Sequence, residues 1–132
     1  MNVTDSVADM LTRMRNAILN RSKYVSIPAS RLKIEITRIL EKEKMIRGFR
    51  LIKDNRQGKI KVALKYTLNG YPVLKGLERV SKPSKRVYRK SSDVPTVRAG
   101  LGFSLVSSSQ GLLTDKEAKE NKVGGEILAK FW

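Results

Sequence analysis

Lys59-Ile60-Lys61-Val62-Ala63-Leu64-Lys65-Tyr66 puts Ile60, Val62, Leu64 and Tyr66 on one parity and Lys59, Lys61, Ala63 and Lys65 on the other. Successive side chains in a strand point to opposite faces, so this stretch predicts a β-strand with one apolar face and one face rich in lysine. Just upstream, Asp54-Asn55-Arg56-Gln57-Gly58 is polar and turn-forming. Before it, Phe49 and Leu51 begin another strand that runs to Asp54.

Working toward the N-terminus, residues 4–20 predict a helix. Val7, Met10, Leu11, Met14 and Ile18 form one apolar stripe at helical spacing. Thr4, Asp5 and Ser6 offer capping oxygens, and Asp5 and Asp9 suit the positive end of the helix. Arg13, Arg15, Asn16 and Asn20 lie mostly off the stripe and give a basic, amide-rich face. Tyr24, Val25 and Ile27 predict a short strand closed by Pro28. Ser30 then caps a second helix over about 31–44, with Leu32, Ile36, Ile39 and Leu40 in phase and Ile34 out of phase.

Toward the C-terminus, Asn69-Gly70 and Pro72 break the pattern, and a boundary between two small subdomains is placed there. Val73–Val80 predicts a strand. Ser81-Lys82-Pro83-Ser84-Lys85-Arg86 is a basic turn, followed by Val87-Tyr88 and then Arg89-Lys90. Residues 95–102 read as an irregular turn, and Phe103, Leu105 and Val106 as a strand running into Ser107-Ser108-Ser109-Gln110-Gly111. Thr114 and Glu117 have capping-box spacing and open a short helix near 115–121. Gly124-Gly125 reads as a helix stop. Ile127, Leu128, Phe131 and Trp132 predict an apolar last strand.

The chain carries 28 Lys and Arg against 12 Asp and Glu, a net charge of +16 on 132 residues with no histidine. That excess repels itself, and a polyanionic partner offsets the repulsion. Nucleic acid is the usual such partner, because each neutralised phosphate releases counterions, and an anionic membrane surface is its main rival. The basic residues are interleaved with apolar ones rather than gathered in a tail, which predicts a folded domain. Without cysteine or histidine there is no thiolate nucleophile, disulfide, imidazole base or common zinc site. Carboxylate or lysine catalysis stays formally open; catalytic residues, metal ligands and cofactors are not expected. No long apolar run suggests a membrane span or signal peptide, and the early Asp5 and Asp9 do not suit one, so a cytoplasmic location is expected.

Several clusters are candidate RNA contacts. Serine hydroxyls in Ser107, Ser108 and Ser109, beside Gly111, can meet phosphates, 2′-hydroxyls and base edges, although such a run also reads as a plain loop. Tyr88 lies among Lys85, Arg86 and Arg89, where a ring can stack on a base while cations hold the backbone; it reads equally as a tyrosine on a half-buried strand. Glu126, after Gly124 and Gly125, can accept from a base amino group, orient an arginine, or serve as a salt-bridge partner. Gly100-Leu101-Gly102 is not a dinucleotide fingerprint, and no phosphate-loop motif occurs.

Three blocks together carry a family likeness. They are Asp5-Ser6-Val7-Ala8-Asp9-Met10-Leu11-Thr12-Arg13-Met14-Arg15-Asn16, then Arg79-Val80-Ser81-Lys82-Pro83 with Arg86-Val87-Tyr88, and then Ala99-Gly100-Leu101-Gly102, Ser107–Gly111, Thr114-Asp115 and Gly124-Gly125-Glu126. In order and spacing the chain resembles the family of bacterial small-subunit ribosomal protein eight over essentially its whole length. The resemblance implies an α+β fold, with a small α/β N-terminal subdomain (1–70) packed on a mostly antiparallel β C-terminal subdomain (71–132) that holds the main RNA-binding region. It implies binding to the central domain of small-subunit ribosomal RNA early in assembly, contact with neighbouring small-subunit proteins and, in some bacteria, repression of a messenger RNA by the same surface. A ribosome-bound protein, monomeric when free, is expected.

By motif, the resemblance makes Ser107 to Gly111 the principal reader, flanked by Lys85, Arg86, Tyr88, Gly124, Gly125 and Glu126. Thr4, Asp5, Arg13, Arg15 and Asn16 on the first helix support a second contact. The chain departs from the family at Ser84, where glycine is usual after the turn proline, and at Ala129, which replaces a cysteine common in the last strand. Ser84 leaves the backbone of the basic turn open. An RNA-modifying enzyme, the remaining rival, lacks any histidine, cysteine or cofactor loop.

Overall fold

The structure, a computed structural model, describes residues 5–132. Thr4, a candidate contact, lies outside the described residues. The chain folds as two compact units. One is Asp9–Leu74; the other is Lys75–Trp132 together with the described residues before Asp9.

The first unit holds most of α1 (Ser6–Leu19), then β1 (Tyr24–Pro28), α2 (Arg31–Lys42), β2 (Ile46–Ile52) and β3 (Lys59–Leu64). The strands form an antiparallel sheet in the order β1-β3-β2. Ile60, Val62 and Leu64 are buried as their alternation requires, and Lys59 and Lys61 are exposed. β2 and β3 are joined by the polar turn, where Asp54 Oδ1 accepts from the Arg56 and Gly58 amides at 2.7 and 2.9 Å. The α1 stripe is buried from Val7 through Ile18. Ser30 caps α2 by accepting from the Lys33 amide at 3.2 Å.

On α2 the buried residues are Lys33, Ile36, Thr37 and Leu40, so the buried stripe includes a lysine that the apolar pattern does not mark. Burial pushes the Lys33 ammonium pKa down; the charge of Asp9 opposes this and that of Arg13 adds to it.

The second unit is built on a five-stranded antiparallel sheet. β4 (Leu77–Arg79), β8 (Gly125–Phe131), β6 (Phe103–Ser108) and β7 (Gly111–Thr114) follow in that order, and β5 (Tyr88–Arg89) also pairs with β8. Two short 3-10 turns, Ser91–Asp93 and Arg98–Gly100, occupy the irregular stretch before β6. α3 (Asp115–Glu120) starts in a complete capping box between Thr114 and Glu117. Val94, Val106, Leu113, Ala118 and Ile127 form a buried cluster with Val80 and Val87 packed on it. Phe103 and Phe131 stack with centroids 5.1 Å apart.

Three expectations change. The strand placed at Val73–Val80 is only Leu77–Arg79, because the amides of Lys75 and Gly76 bond the Trp132 carbonyl and Gly76 lies against the Trp132 ring. Ser107 and Ser108 are the end of β6 rather than loop, and Gly111 opens β7, a strand the turn-forming composition concealed. Gly124-Gly125 does not stop α3. That helix closes at Asn121, with Lys122 at φ 54° and the Val123 amide bonded to the Ala118 carbonyl. α1 and α2 close in the same way through Arg21 and Lys44. In each case a cation stands where glycine is usual, its charge favourable at the negative helix end.

Candidate nucleic-acid interface

β6 and β8 pair with a register shift. Leu105 faces Ala129, but Val106 faces Ile127, so Leu128 is an extra residue on β8. Continued unshifted, the pairing would set Ser107 opposite Ile127. With the shift, Ser107 faces Glu126. On the other side of β8, Tyr88 of β5 also faces Glu126. Three residues far apart in sequence thus form one row across β5, β8 and β6, next to Ile127 and Val106 of the core and Val87 packed on it.

Glu126 is held firmly. Its Oε2 accepts from the Ser81 hydroxyl and from Arg86 at 3.0 Å. Ser81, fully buried, accepts in turn from the Val87 amide at 3.1 Å. Burial would raise the Glu126 pKa; hydrogen bonds from Ser81 and Arg86 and the charges of Arg86 and Arg79 outweigh it and hold the carboxyl below its usual range. Glu126 is therefore a fixed anion that orients Arg86 at the edge of the row. Tyr88 is 63% exposed beside Lys85, Arg86 and Arg89, all exposed.

The serine segment ends in a tight hairpin. Ser108 pairs with Gly111, leaving Ser109 and Gln110 exposed at the turn. The Ser108 hydroxyl donates to the Gly111 carbonyl at 2.9 Å and accepts from the Gln110 amide at 3.1 Å, so its first role is to close the hairpin. Gly111 has φ 96°, a conformation costly for other residues. Gly124 and Gly125 serve closeness instead. A Cβ on Gly124 would stand 2.4 Å from the Arg89 carbonyl oxygen, and one on Gly125 2.2 Å from that of Ser107. Both keep β8 tight against its neighbours where the row is formed.

In the basic turn, Lys82 and Lys85 exchange backbone hydrogen bonds around Pro83-Ser84. Ser84 is not a positive-φ residue, so serine fits where the family usually has glycine.

The candidates on the first helix divide between the two units. Asp5, in the second unit, accepts from the Ala8 amide at 3.1 Å and from Arg79 at 3.0 Å. Burial raises its pKa, but these bonds and the Arg79 charge leave it lowered. Arg79 also donates to the Leu128 carbonyl at 2.6 Å, at the extra residue of β8. Arg13, Arg15 and Asn16 are exposed in the first unit, where Arg13 pairs with Asp9 at 2.9 Å.

Two residues with structural roles in the site, Ser81 and Arg79, were not singled out from sequence. Both stand in a motif that resembled the family, but nothing in the sequence marks a buried serine at the head of a basic turn.

A protein-family model described as ribosomal protein S8 matches residues 5–132. The chain belongs to the ribosomal protein S8 family. It is 53% identical over 132 residues to the small ribosomal subunit protein uS8 of Shouchella clausii and 52% identical to that of Lysinibacillus sphaericus, all of both chains being covered each time. The uS8 protein of Thermodesulfovibrio yellowstonii is 48% identical over 130 residues, 98% of this chain and 99% of the relative. As a member of this family the chain is a structural component of the small ribosomal subunit, not an enzyme. The α+β architecture agrees with that membership.

Proposed function

We propose that the second unit binds the central domain of small-subunit ribosomal RNA through the row Tyr88–Glu126–Ser107 and the hairpin at Ser108–Gly111. The observation that carries this reading is the shifted register, which gathers an exposed ring, an oriented arginine and serine hydroxyls on one surface. Lys85, Arg86 and Arg89 neutralise phosphates, which positions the RNA without reading sequence. Ser107, Ser109 and exposed backbone groups of the hairpin contact 2′-hydroxyls and base edges, and Tyr88 stacks on an unpaired base. Gly124 and Gly125 act by keeping the strands close. Arg13, Arg15 and Asn16 supply a separate contact from the first unit. The protein would work in the cytoplasm, on the ribosome and beside other small-subunit proteins.

These contacts recognise RNA form, not its source. A messenger with the same irregular helix would be held as well, and translational repression is proposed on that ground.

The test is a filter-binding titration against a central-domain transcript. Tyr88→Ala is expected to weaken binding about 10-fold, within the ~1–3 kcal/mol that one base–aromatic stack contributes. Unchanged affinity, or a footprint spread evenly over the RNA, would overturn the assignment.

A further inference from the structure

The first unit carries a second surface that the row above does not use. Register places Tyr24, Ala63 and Gly48 in one line across β1, β3 and β2, and Ser26, Lys61 and Arg50 in the next. This is the sheet face opposite buried Ile60, Val62 and Leu64. It forms an open depression of about 640 Å³ whose lining includes Lys23, Tyr24, Arg47, Arg50 and Lys65.

Three features suit one kind of ligand. The cations Lys23, Arg47, Arg50 and Lys61 are exposed and make no ion pair among the described residues. Arg47 is the extra residue of a register shift between Ile46 and Gly48, which adds a cation to the lining. The floor is Ala63 and Gly48, small enough for a backbone to approach. Tyr24 is 55% exposed, with Lys61 Nζ over its ring 4.5 Å from the centroid, so a phosphate that draws Lys61 off the ring frees that face for a base to stack. Glu41 reaches from α2 to within 3.1 Å of a Cβ on Gly48, and among the described residues it makes no ion pair with these arginines.

We propose that this open sheet face binds a single-stranded segment of RNA, with Arg50 and Lys61 on consecutive phosphates and Tyr24 stacked on a base. An acidic protein segment would answer the charge but leave the exposed ring and the small floor without a role.

The test uses the full chain and a fluorescein-labelled oligouridine of about twelve nucleotides, a length within the span such surfaces hold. Anisotropy is titrated over a range of salt. The double variant Arg50→Gln/Lys61→Gln should bind about 10-fold more weakly at low salt. Its log–log salt slope should fall by about 1.4, the loss of two single-strand phosphate contacts. Lys116→Gln/Lys119→Gln removes the same charge from α3 and should cost under about 2-fold. Tyr24→Leu should weaken binding about 5-fold with the slope unchanged, and Tyr24→Phe should restore it.

Equal losses for the two charge pairs would mean diffuse attraction and overturn the proposal. No loss in Arg50→Gln/Lys61→Gln would do the same and give the face to a protein partner. Insensitivity to Tyr24→Leu would remove the base contact. These outcomes are separate from the fate of the Tyr88 row, which is read by filter binding on the central-domain transcript and not on oligouridine.

Discussion

The two sheets of this protein arrange their exposed polar groups in opposite ways. In the second unit the polar side chains are bonded to one another. Ser81, Arg86 and Glu126 form a network, and Ser108 closes its own hairpin. The surface left to a ligand is small and fixed in shape. In the first unit the open face carries, around one ring, cations that make no ion pair among the described residues. A surface of the first kind can discriminate among RNA shapes, because its donors cannot move to suit a wrong one. A surface of the second kind attracts phosphates wherever they are. Net charge describes the second and is silent on the first.

The sharpest way to break this contrast is to add one methyl group to each sheet. Gly125→Ala should destabilise the protein by about 3 kcal/mol, since its Cβ would stand 2.2 Å from the Ser107 carbonyl oxygen and must force β6 and β8 apart. Gly48→Ala meets only the flexible end of Glu41 at 3.1 Å and should cost under about 1 kcal/mol. Urea denaturation measures both, and equal costs would erase the distinction between a fixed and a tolerant sheet.

A smaller effect is expected from Glu126→Gln, about 1–2 kcal/mol near neutral pH, because it removes a charge-assisted bond to Arg86 and weakens that to Ser81. The pH dependence carries a sign. Glu126 and Asp5 both have folded pKa values below their ordinary 4.5 and 3.8. The unfolded chain therefore binds protons first as pH falls, and the stability these groups contribute is full above the ordinary carboxylate range and lost below it. Melting temperature should drop as pH is lowered through about 4.5, and Glu126→Gln should reduce that drop. A variant with an unaltered acid profile would show that the network does not hold the anion.

The smallest change is Ser108→Ala. It should cost about 1 kcal/mol through the opened hairpin and weaken binding to the specific transcript more than to oligouridine. Equal weakening of both would place the hairpin with the charge-driven contacts.

Much of the architecture was legible because period and capping agree locally. The 59–66 alternation gave β3 and its buried face, Ser30 gave the start of α2, and Thr114 with Glu117 gave α3. The misreadings share a cause: backbone pairing hidden by composition. Ser107, Ser108 and Gly111 look like loop residues, yet they complete a hairpin whose partner strands hold them regardless of propensity. Gly124 and Gly125 look like a helix stop, but their lack of a side chain serves the neighbouring strands. Lys33 breaks no visible rule, and only the packing of α2 buries it.

The sequence by itself determined the partner class and the family. Both rest on properties carried residue by residue, namely a +16 charge and ordered motifs. It also named Tyr88, Ser107 and Glu126 as candidates, and the family resemblance implied that Tyr88 and Glu126 flank the serine segment. Only the tertiary structure set them in one paired row. Their alignment depends on a single extra residue, Leu128, in β8. Strand side chains alternate with a period of two, so a shift of one residue decides whether Ser107 faces Glu126 or Ile127. No local pattern records that shift, because it is settled between strands.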